Sequence, residues 1–374
     1  MNGVSVTNIA GTDGIVNSIL LQSDGKILVY VGGNAVLRFD DRGKLDPAFG
    51  GNGIEVLPTP VGGSLALQPN GQLVIGGVVT PGTGGAELGV ARLNSDGIPD
   101  ASFGSGGLSV VSLGNRAPNV GSAVLLQPNG GILVCSTLIS VGRGQPYQTA
   151  LARFTPTGAL DTNFGSQGLS IQTGVNGCTA LALLSNGDYL VVNSQAIAEF
   201  TANGIAKSTV TGGTVVATSQ SSAAFVASTF DPLGGYLLGS ELFVGEESRG
   251  HNSSAEVLRF SQTGTEVFSS TFHFSGTGGS GIEALVRGVA VQANGEIVAV
   301  GDQITFTQSG AVTVNGLARL SPTGSLDTTF GSGGTVVNNL PPSSGVVIQP
   351  DGNIVTVGFA SNNTGLTLSR YLGQ

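Results

Sequence analysis

One unit is written about seven times along this chain, and that repetition limits the fold more than any single motif does. Its clearest copy runs from Ser122 to Leu169: SAVLLQPNGGILVCST, a variable loop, then TALARFTPTGALDTNFGSQGL. SAVLLQP is a short apolar run that closes on Asn129-Gly130, a pair that tolerates the φ > 0 of a tight hairpin turn. GILVCST reads as a second strand and LARF as a third. LARF ends in TPTG, a turn closing on Gly158, and ALDTNFGSQGLSIQT leads into a fourth strand from about Gly168. No window shows apolar residues recurring at the three-and-four spacing of a helix. Four short antiparallel strands, repeated, describe the blade of a propeller. The expected class is all-β: a seven-bladed β-propeller of four-stranded antiparallel blades.

The copies differ in how well they keep the pattern. Copies one, two and six keep it: LLQSDGKILV with AVLRFDDRGKLDPAFGGNGIEV, LALQPNGQLVI with GVARLNSDGIPDASFGSGGLSVV, and VAVQANGEIVAV with GLARLSPTGSLDTTFGSGGTVV. Copy four, LALLSNGDYLVV with AIAEFTANGIAKSTV, has no Phe-Gly, and copy five, FDPLGGYLLGS with EVLRFSQTGTEVFSSTF, departs furthest. Copy seven, VVIQPDGNIVTVG with LTLSRYLGQ, stops before a fourth strand. The N-terminus supplies a candidate, because Asn2-Gly3-Val4-Ser5-Val6 matches Asn52-Gly53-Ile54-Glu55-Val56. Residues from Gly3 to about Ile9 are therefore expected beside Leu366–Tyr371, closing the ring without an open sheet edge. Continuous repeats make the expected organisation one domain over 1–374. Its blades span about 18–60, 61–114, 120–174, 177–217, 222–275, 284–340, and 343–374 with 1–10.

The signature LDxxFGxxG recurs as Leu45-Asp46…Phe49-Gly50…Gly53, Leu160-Asp161…Phe164-Gly165…Gly168 and Leu326-Asp327…Phe330-Gly331…Gly334. Copy two carries Ile98-Pro99-Asp100…Phe103-Gly104…Gly107. With the QPxG and ARxxPxG segments before it, this resembles the delta-60 repeat family of bacterial propeller proteins, with blades like those of NHL-type propellers. The resemblance covers nearly the whole chain, apart from copies four and five. It implies a propeller fold and a bacterial surface or secreted setting, but no reaction.

Composition narrows the remaining classes. Net charge is −9, with Lys at positions 26, 44 and 207 only, so nucleic acid, which wants a basic face, is not an expected partner. No apolar run approaches the ~18 residues of a spanning helix, so no membrane insertion is expected. MNGVSVTNIA lacks the basic start and apolar core of a signal peptide, and it begins inside a repeat. That suggests a processed chain or a piece of a longer exported protein. Cys135 and Cys178 are too few for a disulfide framework. Neighbouring blades can bring them together, but the favoured expectation is two buried free thiols.

Six of the eleven Arg share one repeat position: Arg38, Arg92, Arg153, Arg259, Arg319 and Arg370. In four copies an Asp follows eight residues later, giving Arg38 with Asp46, Arg92 with Asp100, Arg153 with Asp161 and Arg319 with Asp327. Copy four exchanges the signs, with Glu199 at the Arg position and Lys207 eight residues on. A structural ion pair predicts such a swap and a set of catalytic acids does not. Arg370 is expected to lack a partner, its Asp lying upstream of the N-terminal strand. Phe49, Phe103, Phe164 and Phe330 read as packing residues between blades rather than as a ligand platform.

Motifs of known chemistry are weak or missing. Gly276-Thr277-Gly278-Gly279-Ser280-Gly281 fits GxGxxG, but a strand follows where a helix is needed. There is no GxSxG elbow, P-loop or EF-hand, and His251 and His273 have no zinc-ligand spacing to a Cys. No cofactor, metal or catalytic residue is expected. Function, if any, is expected on the variable loops between strands two and three, which in propellers share a face around the channel mouth. These are long in copies two (78–88), three (138–147), five (242–255) and six (303–314). The candidate ligand contacts are Glu246, Glu247, Arg249 and His251 in copy five, with Arg143 and Tyr147 in copy three. The expected function is non-catalytic binding, adhesion or scaffolding at the bacterial surface or outside the cell. The partner would be a protein or glycan, and the propeller a monomer. The alternatives are a glycan-active hydrolase or lyase at the channel mouth, and a purely architectural module of a longer exported protein.

Overall fold

The computed structural model describes residues 3–8, 14–80, 85–114, 116–139, 148–173, 177–193, 197–207, 224–231, 235–243, 253–261, 265–275, 281–359 and 365–373. They form seven antiparallel sheets, a seven-bladed β-propeller by class, with no helix among the described residues. Six sheets have four strands, and the fourth has three strands among the described residues. Within each sheet the strands follow chain order, except in the seventh. There Gly3–Asn8 pairs antiparallel with Gly365–Tyr371, from Gly3 opposite Arg370 to Asn8 opposite Gly365.

The chain divides into two compact units, 17–217 with sheets one to four, and 1–16 with 218–374 holding sheets five to seven. In the first unit, strands two and three of sheet one, Ile27–Val31 and Ala35–Phe39, are buried at every residue. This explains their unbroken apolar runs: a strand covered on both faces has no polar side to alternate with. Fourth strands are shorter and half-exposed, as with Ile54–Val56. Apolar cores fill the spaces between successive sheets, one gathering Tyr30, Phe49, Leu65 and Ile75, another Val74, Phe103, Val134 and Phe154. The second unit repeats this arrangement, with Phe272, Phe274, Val286 and Ala299 between sheets five and six.

Two expectations change here. Cys135 and Cys178 are joined as a disulfide, not left as thiols, and both are fully buried. Cys135 lies in strand two of sheet three and Cys178 just before strand one of sheet four. Their Cα atoms are 6.0 Å apart, a separation that a disulfide spans. Their sequence separation of 43 carries no spacing signal that could have announced the bond. The second change is in copy six, where 303–314 is not a loop. Strand two runs Ile297–Thr307 and strand three Gly310–Leu320, paired out to Thr307 opposite Gly310. ITFT and AVTV are β-branched and aromatic sequences that favour extended pairing, and Gly310 takes φ +128° beside the two-residue turn.

Candidate functional site

Repeated charges and non-repeated charges sit in different kinds of place. The repeated Arg leaves strand three and makes the same contacts in four sheets. In sheet two, Arg92 Nε donates to Asp100 Oδ2 at 2.8 Å and Nη1 donates to the Pro156 carbonyl of sheet three at 2.6 Å. Its guanidinium carbon stands 4.4 Å from the Phe103 ring centroid. Arg38, Arg153 and Arg319 bond Asp46, Asp161 and Asp327 through Nε at 2.9, 2.8 and 2.7 Å. Through Nη1 they reach the carbonyls of Ser95, Ala202 and Gly373 in the following sheet. They lie over Phe49, Phe164 and Phe330 at 4.7, 4.8 and 4.8 Å. Only a planar, multiply donating cation can serve a carboxylate, a carbonyl and a ring face at once. The turn that supplies the carbonyl also needs its glycine. Gly97 has φ +91°, and a Cβ there would come within 2.8 Å of Phe49.

The other copies solve the same problem differently. In sheet four, Lys207 Nζ lies 2.6 Å from Glu199 and 2.5 Å from Asp188, the residue just before strand two (Tyr189–Val192). The residue at that position also joins the pair elsewhere: Lys26 lies 3.5 Å from Asp46, and Glu296 lies 3.3 Å from Arg319. Arg259 donates to the Pro322 carbonyl at 2.7 Å. Arg370 does have a carboxylate partner, contrary to expectation. Asp351, in the turn between strands one and two of its own sheet, lies 2.5 Å from Nη2. The repeat spacing of eight residues could not reveal a partner nineteen residues back in the chain.

One group of non-repeated charges lies in sheets five and six. Glu241 lies in strand two of sheet five (Gly235–Phe243) and Ser253 opens strand three (Ser253–Ser261). Ser253 Oγ donates to Glu241 Oε1 at 2.6 Å and accepts the Ala284 N–H of sheet six at 3.2 Å. Glu283 and Arg287 stand in strand one of sheet six (Ile282–Val291) and Asp302 in its strand two. Val286 pairs Gly301 and Gly288 pairs Val300, so Arg287 is the extra residue of a bulge. The bulge turns its side chain onto the buried Asp302, which accepts from Nε and, at 3.3 Å, from Nη2. Gln303 is fixed nearby by two hydrogen bonds with the backbone of Ser275. Ser254 Oγ stands 3.5 Å from His273 Nε2. Burial raises the Glu241 pKa, Ser253 opposes this, the charges of Glu283 and Asp302 raise it further, and Arg287 lowers it. Such an arrangement can hold a polar or cationic group, and it disfavours the charged form of one carboxyl.

The sequence-predicted contacts Glu246, Glu247, Arg249 and His251, and likewise Arg143 and Tyr147, lie outside the described residues. Phe243 pairs Ser253, so the chain leaves for 244–252 and returns at the Glu241–Ser253 bond. Sequence reasoning missed Glu241, Arg287 and Asp302. A signal existed: five residues beyond the apolar residue that opens strand two, the other copies carry Gly32, Val78, Thr137, Ser194 and Phe359. Only copies five and six place an acid there. Among the described residues no group of three or more His, Cys, Asp or Glu side chains is placed to hold a metal ion.

Three stretches of the chain, 68–103, 127–164 and 292–330, match the model of a domain of unknown function (DUF5122) beta-propeller. Each runs from the Gln that closes strand one to the Phe beneath the Arg, in sheets two, three and six. A search of curated proteins finds no match. Among solved structures, the chain is similar to catalytically inactive virginiamycin B lyase from Staphylococcus aureus with quinupristin. The identity is 14%, with 98% of each chain covered, and the TM-score is 0.54. It also aligns with the extracellular domain of a protein assigned to the hybrid two component systems of B. thetaiotaomicron, at 14% identity and a TM-score of 0.47. That alignment covers 98% of this chain but spans only 40% of the other. A gluconolactonase from Xanthomonas campestris aligns at 11% identity over 99% and 91% of the two chains, TM-score 0.41. At 14% identity the likeness to the lyase is one of fold.

Proposed function

We propose that this chain is a binding propeller of the bacterial exterior, a delta-60 repeat protein whose recognition face lies at the strand two–three ends of sheets five and six. The observation that carries this reading is the placement of Glu241 and Asp302. Both stand at a repeat position that is uncharged in the other five copies, beside an Arg287 aimed by a bulge. Charges needed by every blade recur in most of them. Charges present in two neighbouring blades serve something those blades alone do. A buried disulfide supports an oxidising compartment. The repeated Arg–Asp–Phe contacts are structural, since they join strands and successive sheets and recur wherever the repeat is intact.

Titration calorimetry against a panel of glycans and basic peptides tests the reading. A ligand bound by the wild type should lose at least about tenfold in affinity with Glu241→Gln or Asp302→Asn. A ligand bound equally by wild type and both variants would refute this site. A second reading, a hydrolase or lyase, draws on one observation: the raised pKa of Glu241 beside two further carboxylates, as a general acid requires. Turnover of the bound ligand, lost in Glu241→Gln while binding persists, would favour it.

A further inference from the structure

The hairpin of sheet six reaches beyond its own sheet. Strand two and strand three pair over their full length, but strand four (Thr335–Asn338) covers strand three only from Asn315 to Ala318. The outward edge of Gly310–Val314 therefore has no strand beside it among the described residues. Residues 307–313 are all exposed, so no described residue covers that edge. Such an edge presents backbone N–H and C=O groups in the spacing of another strand, and natural proteins usually blunt it with Lys, Pro or a charge. This one is not blunted. From Gln303 to Ala318 the sequence QITFTQSGAVTVNGLA contains no charged residue and no Pro, in a chain of net charge −9.

We infer that this edge pairs with the same edge of a second copy, strand three adding antiparallel to strand three about a two-fold at Val312. The order of side chains supports a partner identical to itself. In that register Val312 faces Val312, Ala311 faces Thr313, and the large Val314 faces Gly310, which leaves room for it. An isologous contact of this kind satisfies both edges at once and stops at two copies. A foreign peptide would instead need pockets that read alternate side chains. Ala311, Val312 and Thr313 are exposed, so this part of the hairpin offers none. Local neutrality matters too: the copies repel each other overall, but no like charges meet along this edge. Five residues give an edge about 17 Å long. The contact is small, so association is weak and depends on concentration. Two copies would present the recognition face twice and gain avidity on a repetitive ligand. The pairing itself does not depend on that reading.

Sedimentation equilibrium on the full chain over a wide concentration range tests the inference. Wild type should approach twice the chain mass at the upper end. Val312→Lys should hold it monomeric, with at least about a tenfold weaker association and unchanged melting. Val6→Lys is the control, because Gly3–Asn8 is also an uncharged edge strand with Val6 exposed. It should dimerise as wild type does. Val312→Cys should be joined to a second copy by a short bis-maleimide; the native cysteines are bonded and do not compete. A monomeric wild type together with no cross-link through Val312→Cys would overturn the inference. So would a dimer abolished by Val6→Lys and untouched by Val312→Lys.

Discussion

Asp100 in sheet two is a buried carboxylate and Glu241 in sheet five a half-buried one, and their surroundings push them in opposite directions. Asp100 accepts from the Ser102 hydroxyl at 2.6 Å, from its amide at 2.9 Å, and from Arg92. The Ser102 hydroxyl first, then its amide and Arg92, outweigh burial and bring the Asp100 pKa down to about 2. Glu241 has one hydroxyl donor and two carboxylates for neighbours, and burial raises its pKa. One site stabilises its charge and contributes to folding. The other tolerates a charge at a cost, as sites kept for binding or chemistry commonly do.

The largest effect that bears on this contrast is loss of the disulfide. Closing a loop of 43 residues is worth about 4 kcal/mol. Cys135→Ser with Cys178→Ser should lower the urea midpoint accordingly, and should leave the pH behaviour assigned to Glu241 intact. A changed pH profile would mean that the two regions do not respond independently. Next is Arg92→Met, which leaves Asp100 without its cation and should cost about 3 kcal/mol. The cost in this case depends on pH. The Asp100 pKa falls from 3.8 to about 2 on folding, so its contribution is complete above 3.8 and fades as pH drops toward 2. Asp100→Asn should therefore flatten the acid limb of the stability curve.

Glu241→Gln should act with the opposite sign. Below the ordinary carboxyl value of 4.5 both folded and unfolded chains carry the proton, and the substitution should change nothing. Above it the native carboxyl resists ionisation, so stability falls as pH rises, and Gln should be the more stable of the two near neutrality. Equal stability of Glu241→Gln and wild type at neutral pH would remove the contrast. The smallest effect belongs to sheet seven. Arg370→Ala or Asp351→Ala should shift unfolding by no more than about 0.5 kcal/mol, because that pair is largely exposed, at 35% and 51% of the side chains. A shift as large as that of Arg92→Met would show that burial is not what separates the pairs.

Much of this is legible in the sequence. Turn chemistry at Asn129-Gly130 and Gly158 delimits the strands, and the match of Gly3–Val6 to Gly53–Val56 places the N-terminal strand beside Gly365–Tyr371. The Arg-to-Asp spacing across a single turn was legible because both residues belong to one hairpin. Contacts between sheets were not. The Pro156 carbonyl that receives Arg92 lies 64 residues away, and Cys178 lies 43 from Cys135. The extension of sheet six was hidden for another reason: ITFTQSGAVTV lies where other copies place a loop, so the repeat argued against its own strand propensity.

The amino-acid order by itself determined the repeat, the number of blades, the pairing of the two termini in one sheet and which charges recur. These are properties of short segments and their periods, and local sterics and hydrophobic alternation are enough to set them. Only the tertiary structure decided which carbonyl each Arg meets, that the two cysteines bond, and that Glu241, Glu283 and Asp302 share one environment. Those outcomes depend on which sheet lies against which, and a carboxyl's pKa follows from its neighbours in space rather than in sequence.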